Sequence, residues 1–386
     1  MALLLQSHWG VYRLQRMSPE IRMVIHMPRF CLFAALLFLP IAGGCDLPYL
    51  SQAVTGHFRI MGSRVPIEEE LKKTPEDHDN QRKLKLVLDV RSFASAELGL
   101  PKNKSYTTYS EIDGEYLGWN VYATPRFSME PKKWCFPVAG CVVYRGYFSK
   151  EEALRFAEDL AKENHDVFVA PFTAYSTLGW YDDPVLTPHL RMSPIRLAGL
   201  IIHELAHQEC YFPGDSRFNE AFAVAVERAG VLQWLKSKKR DDLADEALRL
   251  WNEEEAVVER MARARNELTA LYSSGLDQNY LQEKKTTIFQ ALKKDLHGIR
   301  FAGIALPKTN GQGLELNNAS LVPLDTYYSY VPVFQSMLSE AGGNFPQFYK
   351  RARELGSLPI QERNKEIDSL QERLQTMRMA PTQETK

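Results

Sequence analysis

The pattern of apolar and polar positions divides the chain into a mixed first half and a helical second half. Between residues 67 and 100, apolar residues recur at helical spacing, and the polar stretch PEDHDN interrupts them. The apolar residues of this stripe are Leu71, Leu84, Leu86, Val87, Val90 and Phe93. From about residue 104 to 147, aromatic and β-branched residues are punctuated by Gly and Pro, which predicts strands and hairpins.

Helical and strand patterns then follow one another up to residue 177. Residues 149–165 are amphipathic and begin at Ser149, a favourable N-cap, so they predict a helix. Residues 166–177 are apolar and β-branched and predict a strand, after which a loop rich in Gly, Asp and Pro is expected.

Two helix-start signals open the second half of the chain. Ser193 followed by Pro194 precedes the segment IRLAGLIIHELAHQ, which predicts a helix with Pro at its first position. A second helix is predicted to begin near Asp215–Asn219 and to carry NEAFAVAVERAGVLQWL. Residues 237–300 are charged and contain no Pro, which predicts long helices with solvated polar faces.

Together these elements predict an α+β fold, with one domain over residues 67–386. Its first half, 67–190, would combine a helix with a small mixed sheet that packs on the helix carrying HELAH. Its second half, 191–380, would be mostly helical and would carry both HELAH and NEAFA.

The N-terminal region has the composition of a secretion signal. Arg22 and Arg29 precede an uncharged run of twelve residues, Phe30–Ile41. Such a run is short for a membrane-spanning helix and suits the apolar region of a signal peptide. Three small residues then lead into Cys45, and this arrangement resembles a bacterial lipobox, in which the cysteine is acylated and becomes the new N-terminus.

We therefore predict a lipoprotein signal peptide over residues 1–44 and a membrane tether over residues 45–66. The mature protein would belong to the bacterial cell envelope, anchored to a membrane by lipid on Cys45 and facing the periplasm. A signal peptide cleaved without lipid attachment and a short anchor helix are the alternatives.

Charge and cysteine content narrow the classes of protein that fit. The formal net charge of −1 gives no basic field for nucleic acid. Outside the cytoplasm thiols can oxidise, and Cys135 and Cys141 flank a turn that a disulfide could close; two free cysteines are the alternative. Cys210 could serve as a soft metal ligand or simply pack in the core.

The motif HELAH, residues 203–207, carries the strongest chemical signal. On an α-helix, residues four apart differ by roughly 40° in direction and about 6 Å in height, so His203 and His207 can bind one ion. Glu204 would stand beside that ion, where it can take a proton from water and return it to a leaving amine. Two histidines hydrogen-bonded inside a helix bundle are the alternative.

A third ligand is expected from the segment FNEAFA, residues 218–223, which a short loop can fold back against the HELAH helix. Glu220 would complete a two-histidine, one-glutamate set with a fourth position open for water. Glu227 lies two turns further along the same face and is the alternative ligand, or a residue that supports the site or binds the substrate amine. Asp215 is expected to cap this helix, or to orient a ligating histidine.

Several segments resemble one protein family. WCFPVAGCVVYRGYF, AYSTLGWYDDPVL, IIHELAHQ, FNEAFA and the lipobox-like start are similar to the predicted membrane-anchored bacterial aminopeptidases, over about residues 45–355. FNEAFA also resembles the segment by which gluzincin aminopeptidases supply a zinc-binding glutamate, although the spacing from HELAH is shorter here. The resemblance implies a zincin-like fold, one zinc ion, a peptide substrate and attachment to a membrane.

Substrate contacts are predicted less directly. Zincins bind peptide along an edge strand, and the strand before the HELAH helix would bring Tyr175, Ser176 and Thr177 near the cleft. Tyr327, from the run LDTYYSYVP, is expected to donate a hydrogen bond to the oxyanion. Candidates for an amine-binding carboxylate are Asp182, Asp183, Glu209 and Glu227.

The sequence thus predicts a zinc-dependent peptidase, most simply an aminopeptidase, with Glu204 as general base. Endopeptidase action remains open, and so do two further alternatives. One is a non-catalytic envelope lipoprotein, a binding or assembly module that keeps a zincin-like core. The other is a hydrolase of cell-wall peptides.

Overall fold

The computed structural model describes residues 47–73, 78–136, 140–174, 176–297, 308–309, 313–314 and 316–379. The helices are α1 (Leu47–Gly62), α2 (Ile67–Lys73), α3 (His78–Ala96), α4 (Lys150–Lys162), α5 (Pro194–Glu209), α6 (Ser216–Ser237), α7 (Asp241–Tyr272), α8 (Gln278–Asp295), α9 (Val322–Tyr328), α10 (Val331–Glu340), α11 (Phe345–Gly356) and α12 (Ile360–Met379). Two 3₁₀ helices cover Thr187–Arg191 and Asn318–Leu321.

The strands are β1 (Val65–Pro66), β2 (Thr108–Ser110), β3 (Gly118–Pro125), β4 (Trp134–Phe136), β5 (Gly140–Val142), β6 (Tyr144–Tyr147), β7 (His165–Phe172), β8 (Val185–Leu186), β9 (Lys308–Thr309) and β10 (Gly313–Leu314). Helices therefore dominate a mixed α+β fold whose sheets are small and whose second half is helical, as the sequence predicts.

The larger sheet is antiparallel, with the strand order β6-β3-β7. Side chains alternate between its two faces because successive residues of a strand point in opposite directions. Val121 and Ala123 pack with Ala153 of α4 on one face, whereas Tyr122 and Phe168 pack on the other face beside the second 3₁₀ helix.

The smaller sheet joins distant parts of the first half. β2 lies between β1, to which it is antiparallel, and β8, to which it is parallel. β4 and β5 form a separate hairpin, in which Cys135 faces Cys141 and the two are joined by a disulfide.

The main core surrounds α5 and α6. Phe218, Phe222, Phe334 and Phe348 are fully buried, and their rings pack edge-to-face and stacked around the start of α6. Ring pairs of this kind add about 0.5–1.5 kcal/mol each beyond the burial of their area. α6 is thereby held between α5 on one side and α9 and α10 on the other.

The two long helices α7 and α8 confirm the predicted helical character of the described part of residues 237–300, and they enclose a core of their own. Val257, Met261 and Leu268 of α7 meet Phe289 and Leu292 of α8. A buried ion pair between Lys285 and Asp166, with Nζ 2.6 Å from Oδ2, ties this hairpin to β7.

The first described residues, predicted above to form a membrane tether, fold onto the domain. Residues 47–66 comprise α1 and β1, and Ala53 and Ile60 of α1 are buried. Gly56 lies directly against the ring of Phe148, where a Cβ would come within 2.3 Å of Cδ2, so only glycine allows this approach. These buried residues attach the start of α1 to the domain, and the role of residues 45–66 as a membrane tether stays a prediction.

Cys45 and the predicted signal peptide lie outside the described residues. Within the described part of the chain, no helix is both long and apolar enough to span a bilayer.

Candidate metal centre

The helix that carries HELAH begins as predicted and is rigidly packed. The Ser193 side chain accepts a hydrogen bond from the backbone N of Arg196, and Pro194 occupies the first turn. Leu197, Ile201 and other apolar residues of α5 are fully buried. The two histidines therefore project from a helix that has little freedom to move.

The loop between α5 and α6 is closed by an asparagine whose role the sequence did not reveal. The side chain of Asn219 accepts a hydrogen bond from the backbone N of Phe212 and donates one to its carbonyl oxygen, both at 2.8 Å. Asp215 caps α6 by accepting from the backbone N of Phe218 and also pairs with Arg363 at 2.8 Å. These bonds fix the direction in which α6 returns along α5.

The three predicted ligands converge. Glu220 Oε2 lies 3.3 Å from His203 Nε2 and 3.5 Å from His207 Nε2. Two ligands that are each about 2.0–2.1 Å from a tetrahedral ion stand roughly 3.3–3.4 Å apart, so these separations match a shared ion. All three ligand atoms lie within 4.8 Å of one another. The set of two imidazoles and one carboxylate can therefore hold one metal ion.

Glu227 lies on the other side of the His203 ring. Its Oε2 is 2.9 Å from Nδ1 of His203, whereas Glu220 faces Nε2. Gly199 makes room for this carboxylate, since a Cβ there would lie 2.7 Å from Oε1 of Glu227. A carboxylate at Nδ1 fixes the tautomer and the ring orientation of a ligating histidine, so the structure places Glu227 behind the ligand and away from the ion position.

Opposite charges within this cluster stabilise the charged forms of His203 and Glu220. Burial lowers the pKa of His203, but hydrogen bonds and charge from Glu220 and Glu227 outweigh it and raise the pKa well above its ordinary value. Burial raises the pKa of Glu220, but His207 and His203 outweigh it and bring the pKa down to about 2. Glu220 is therefore an anion throughout the neutral range, as a metal ligand must be.

Glu204 is buried beside this cluster, and a tyrosine that the sequence did not reveal stands next to it. Burial raises the pKa of Tyr106 well above its ordinary value, and the charge of Glu204 raises it further. Tyr106 has a φ of +62°, a conformation that is strained for a residue with a side chain. A side-chain hydrogen bond with Ser176 lowers the same pKa in part. Nothing in the local sequence predicts such strain, so only the tertiary structure identifies this residue.

Asp183 holds the loop after β7 beside Glu204. Its Oδ2 accepts a hydrogen bond from the backbone N of Thr177 at 2.8 Å, and its carbonyl oxygen accepts one from Tyr106 at 2.6 Å. Burial raises the pKa of Asp183 to about 7, and the charge of Glu204 contributes to the rise. Ser176, a predicted substrate contact, lies in this loop and lowers the same pKa through its hydroxyl group.

Tyrosines enclose the cluster on the side of the larger sheet. The charge of Glu220 is the largest cause that raises the pKa of Tyr327 well above its ordinary value. Burial, followed by the charge of Glu220, does the same for Tyr122 on β3 and Tyr144 on β6. All three phenols are therefore protonated at neutral pH and can donate hydrogen bonds toward the site.

The predicted strand over residues 166–177 is shorter than expected. β7 ends at Phe172, because the Thr177 hydroxyl bonds both the N and the O of Tyr181 and closes a turn. Leu178 and Gly179 then take positive φ values of 55° and 81°. Tyr175 lies outside the described residues, and the sheet side chains beside Glu220 come from β3 and β6 instead.

Two other candidate carboxylates differ in their contacts. Glu209 pairs with Arg353. Asp182 accepts a hydrogen bond from Arg64 through its backbone carbonyl oxygen, a contact that does not involve its carboxylate. Cys210 packs in the main core, where burial raises its pKa to about 12, and it is not among the three residues that converge on one ion position.

Comparison with known protein families gives a match over most of the chain. The model of a protein family described as "Putative aminopeptidase" matches residues 48–367. No curated protein and no solved structure matches the chain.

Proposed function

The chain belongs to the "Putative aminopeptidase" family, which indicates peptidase activity, and on that premise we propose that it is a zinc-dependent aminopeptidase. The observation that carries the proposal is the convergence of His203, His207 and Glu220 on one ion position with Glu204 beside it. Two histidines, one glutamate and an open fourth position are the ligand set of catalytic zinc sites in several metallopeptidases.

The residues can be given definite tasks in peptide hydrolysis. His203, His207 and Glu220 would hold the zinc ion, which when bound supplies Lewis acidity toward water and the peptide carbonyl. Glu204 takes a proton from the attacking water and delivers it to the nitrogen of the leaving amine. Glu227 keeps His203 turned so that its Nε2 faces the ion.

Tyr327 is proposed to stabilise the transition state. The carbonyl oxygen gains negative charge when water adds to the peptide carbon, and a donor aimed at it lowers the barrier. The charge of Glu220 raises the pKa of the Tyr327 phenol more than any other cause does, so this phenol lies close to the ligand set. Its raised pKa keeps it protonated and able to donate.

The proposed activity is tested by offering the purified protein matched peptides with free and acetylated N-termini. We expect cleavage of the free peptides one residue at a time, loss of activity on chelation, and recovery when zinc is added back. Cleavage of both peptides at internal bonds would show an endopeptidase. Cleavage of muropeptides alone would favour a cell-wall hydrolase, and bound metal without any cleavage would favour a binding module.

We also propose that the protein is held at a membrane of the cell envelope by an acyl group on Cys45. The support is the sequence alone: an uncharged run, three small residues and a cysteine. Radioactive palmitate is expected to label the wild-type chain, and Cys45→Ser is expected to remove the label. A label that persists in the variant would refute acylation at Cys45.

A further inference from the structure

An exposed aromatic patch lies on the outer face of α1 and on the loop after β7. Phe58 is 64% exposed and Val54, one turn earlier on α1, is 41% exposed. Trp180 and Tyr181 of the loop are 50% and 40% exposed. The ring of His57 connects the two parts, with its centroid 5.5 Å from that of Phe58 and 5.1 Å from that of Tyr181. We call Val54, Phe58, Trp180 and Tyr181 the α1 patch.

The α1 patch is held in a fixed shape by the fold beneath it. The opposite face of α1 is buried through Ala53 and Ile60. Arg64, just after α1, donates from Nη1 to the carbonyl oxygen of Asp182 at 2.7 Å, which ties the loop to the helix end. Large apolar side chains that are exposed together on a rigid surface mark an interaction site.

The chain before α1 indicates which partner covers the α1 patch. Cys45 precedes Leu47, the first residue of α1, by two positions. Because an extended chain spans at most about 3.3–3.6 Å per residue, a lipid on Cys45 would hold the start of α1 within roughly 10 Å of a bilayer surface. Trp and Tyr are enriched at that depth, and apolar faces carrying Phe and Trp bind there. Arg59 is exposed on the same helix and suits anionic headgroups.

We propose that the α1 patch seats the folded domain on the surface of a lipid bilayer. The domain then lies against the membrane in one orientation and does not swing freely from its lipid. The proposal rests on the lipid anchoring proposed above and is independent of the peptidase chemistry. The loop that carries Trp180 also carries Ser176 and Asp183 beside Glu204, so the membrane-facing surface and the surroundings of the base share one segment.

The test uses the full acylated chain in vesicles of phosphatidylcholine and phosphatidylglycerol, with and without bromine on the acyl chains. The emission that Trp180 contributes is the difference between the wild type and Trp180→Phe. Because bromine quenches tryptophan at short range, this emission is expected to fall roughly twofold in the brominated vesicles. Phe58→Ser is expected to restore most of this emission and to leave hydrolysis of a soluble peptide unchanged. The control is Trp180→Phe combined with Tyr280→Trp, which moves an exposed indole to α8; its added emission should not be quenched.

The outcomes separate docking from anchoring. A chain that sediments with the vesicles while Trp180 stays unquenched would overturn docking and leave the lipid anchor standing. A chain that stays in the supernatant would overturn both. Unquenched Trp180 together with a dimer in detergent that Phe58→Ser dissociates would assign the α1 patch to a second copy of the chain and would also overturn the proposal.

Discussion

Replacing Glu204 by Gln is expected to leave the metal bound and to lower kcat for peptide hydrolysis by roughly 10²–10⁴-fold. The amide has nearly the same shape as the carboxylate but cannot accept the proton of the attacking water. Glu204 stands beside the ligand set and is not part of it, so metal affinity should change little. Metal content by atomic emission and turnover of a fluorogenic peptide measure the two effects.

The matched control is Glu209→Gln, which removes a charge from the same helix at a residue that pairs with Arg353. It should keep both metal and turnover. Full activity of Glu204→Gln would end the assignment of Glu204 as the base.

Tyr327→Phe should also keep the metal and lower kcat by about 10²–10³-fold, as the loss of one oxyanion donor does.

Replacing Glu220 by Ala is expected to cost far more metal affinity than replacing Glu227 by Ala. Glu220 Oε2 is the carboxylate oxygen that lies near Nε2 of both histidines, so its removal leaves two protein ligands. Glu227 contacts only the far nitrogen of His203, and losing such a support typically weakens metal binding by about 10–100-fold. Competition with a chromogenic zinc chelator gives both affinities.

Glu259→Ala, an exposed position on α7, controls for the loss of one negative charge and should leave the affinity unchanged. His207→Ala should match Glu220→Ala, because it also removes one ligand. If Glu220→Ala keeps tight binding while Glu227→Ala loses it, then Glu227 is the ligand and the ion lies on the other side of His203.

The two glutamates show what sequence spacing could and could not decide. They lie seven residues apart on α6, and helical periodicity places both on the face toward α5. Periodicity does not say which of them meets the Nε2 side of His203, because that depends on the rotation and height of α6 against α5. The loop closed by Asn219 sets both.

The tyrosines near Glu220 and Glu204 also show what the sequence could and could not predict. Tyr327 was selected from sequence because oxyanion chemistry needs a donor, and the structure places it close to Glu220. Tyr106, Tyr122 and Tyr144 were missed. They come from a loop and two strands far from HELAH in sequence, and their approach to the site depends on sheet register and on a strained backbone.

The sequence by itself determined what is local in this protein. Helix starts at Ser193 and Asp215, the spacing of His203 and His207, and the mixed α+β character all follow from neighbouring residues, because caps and periodicity act over a few positions. The tertiary structure decided what depends on the meeting of distant segments. It brought Glu220, and not Glu227, next to Nε2 of both histidines, surrounded Glu204 with Tyr106 and Asp183, and folded residues 47–66 onto the domain. Such contacts arise from packing between elements, and no single segment of the chain encodes them.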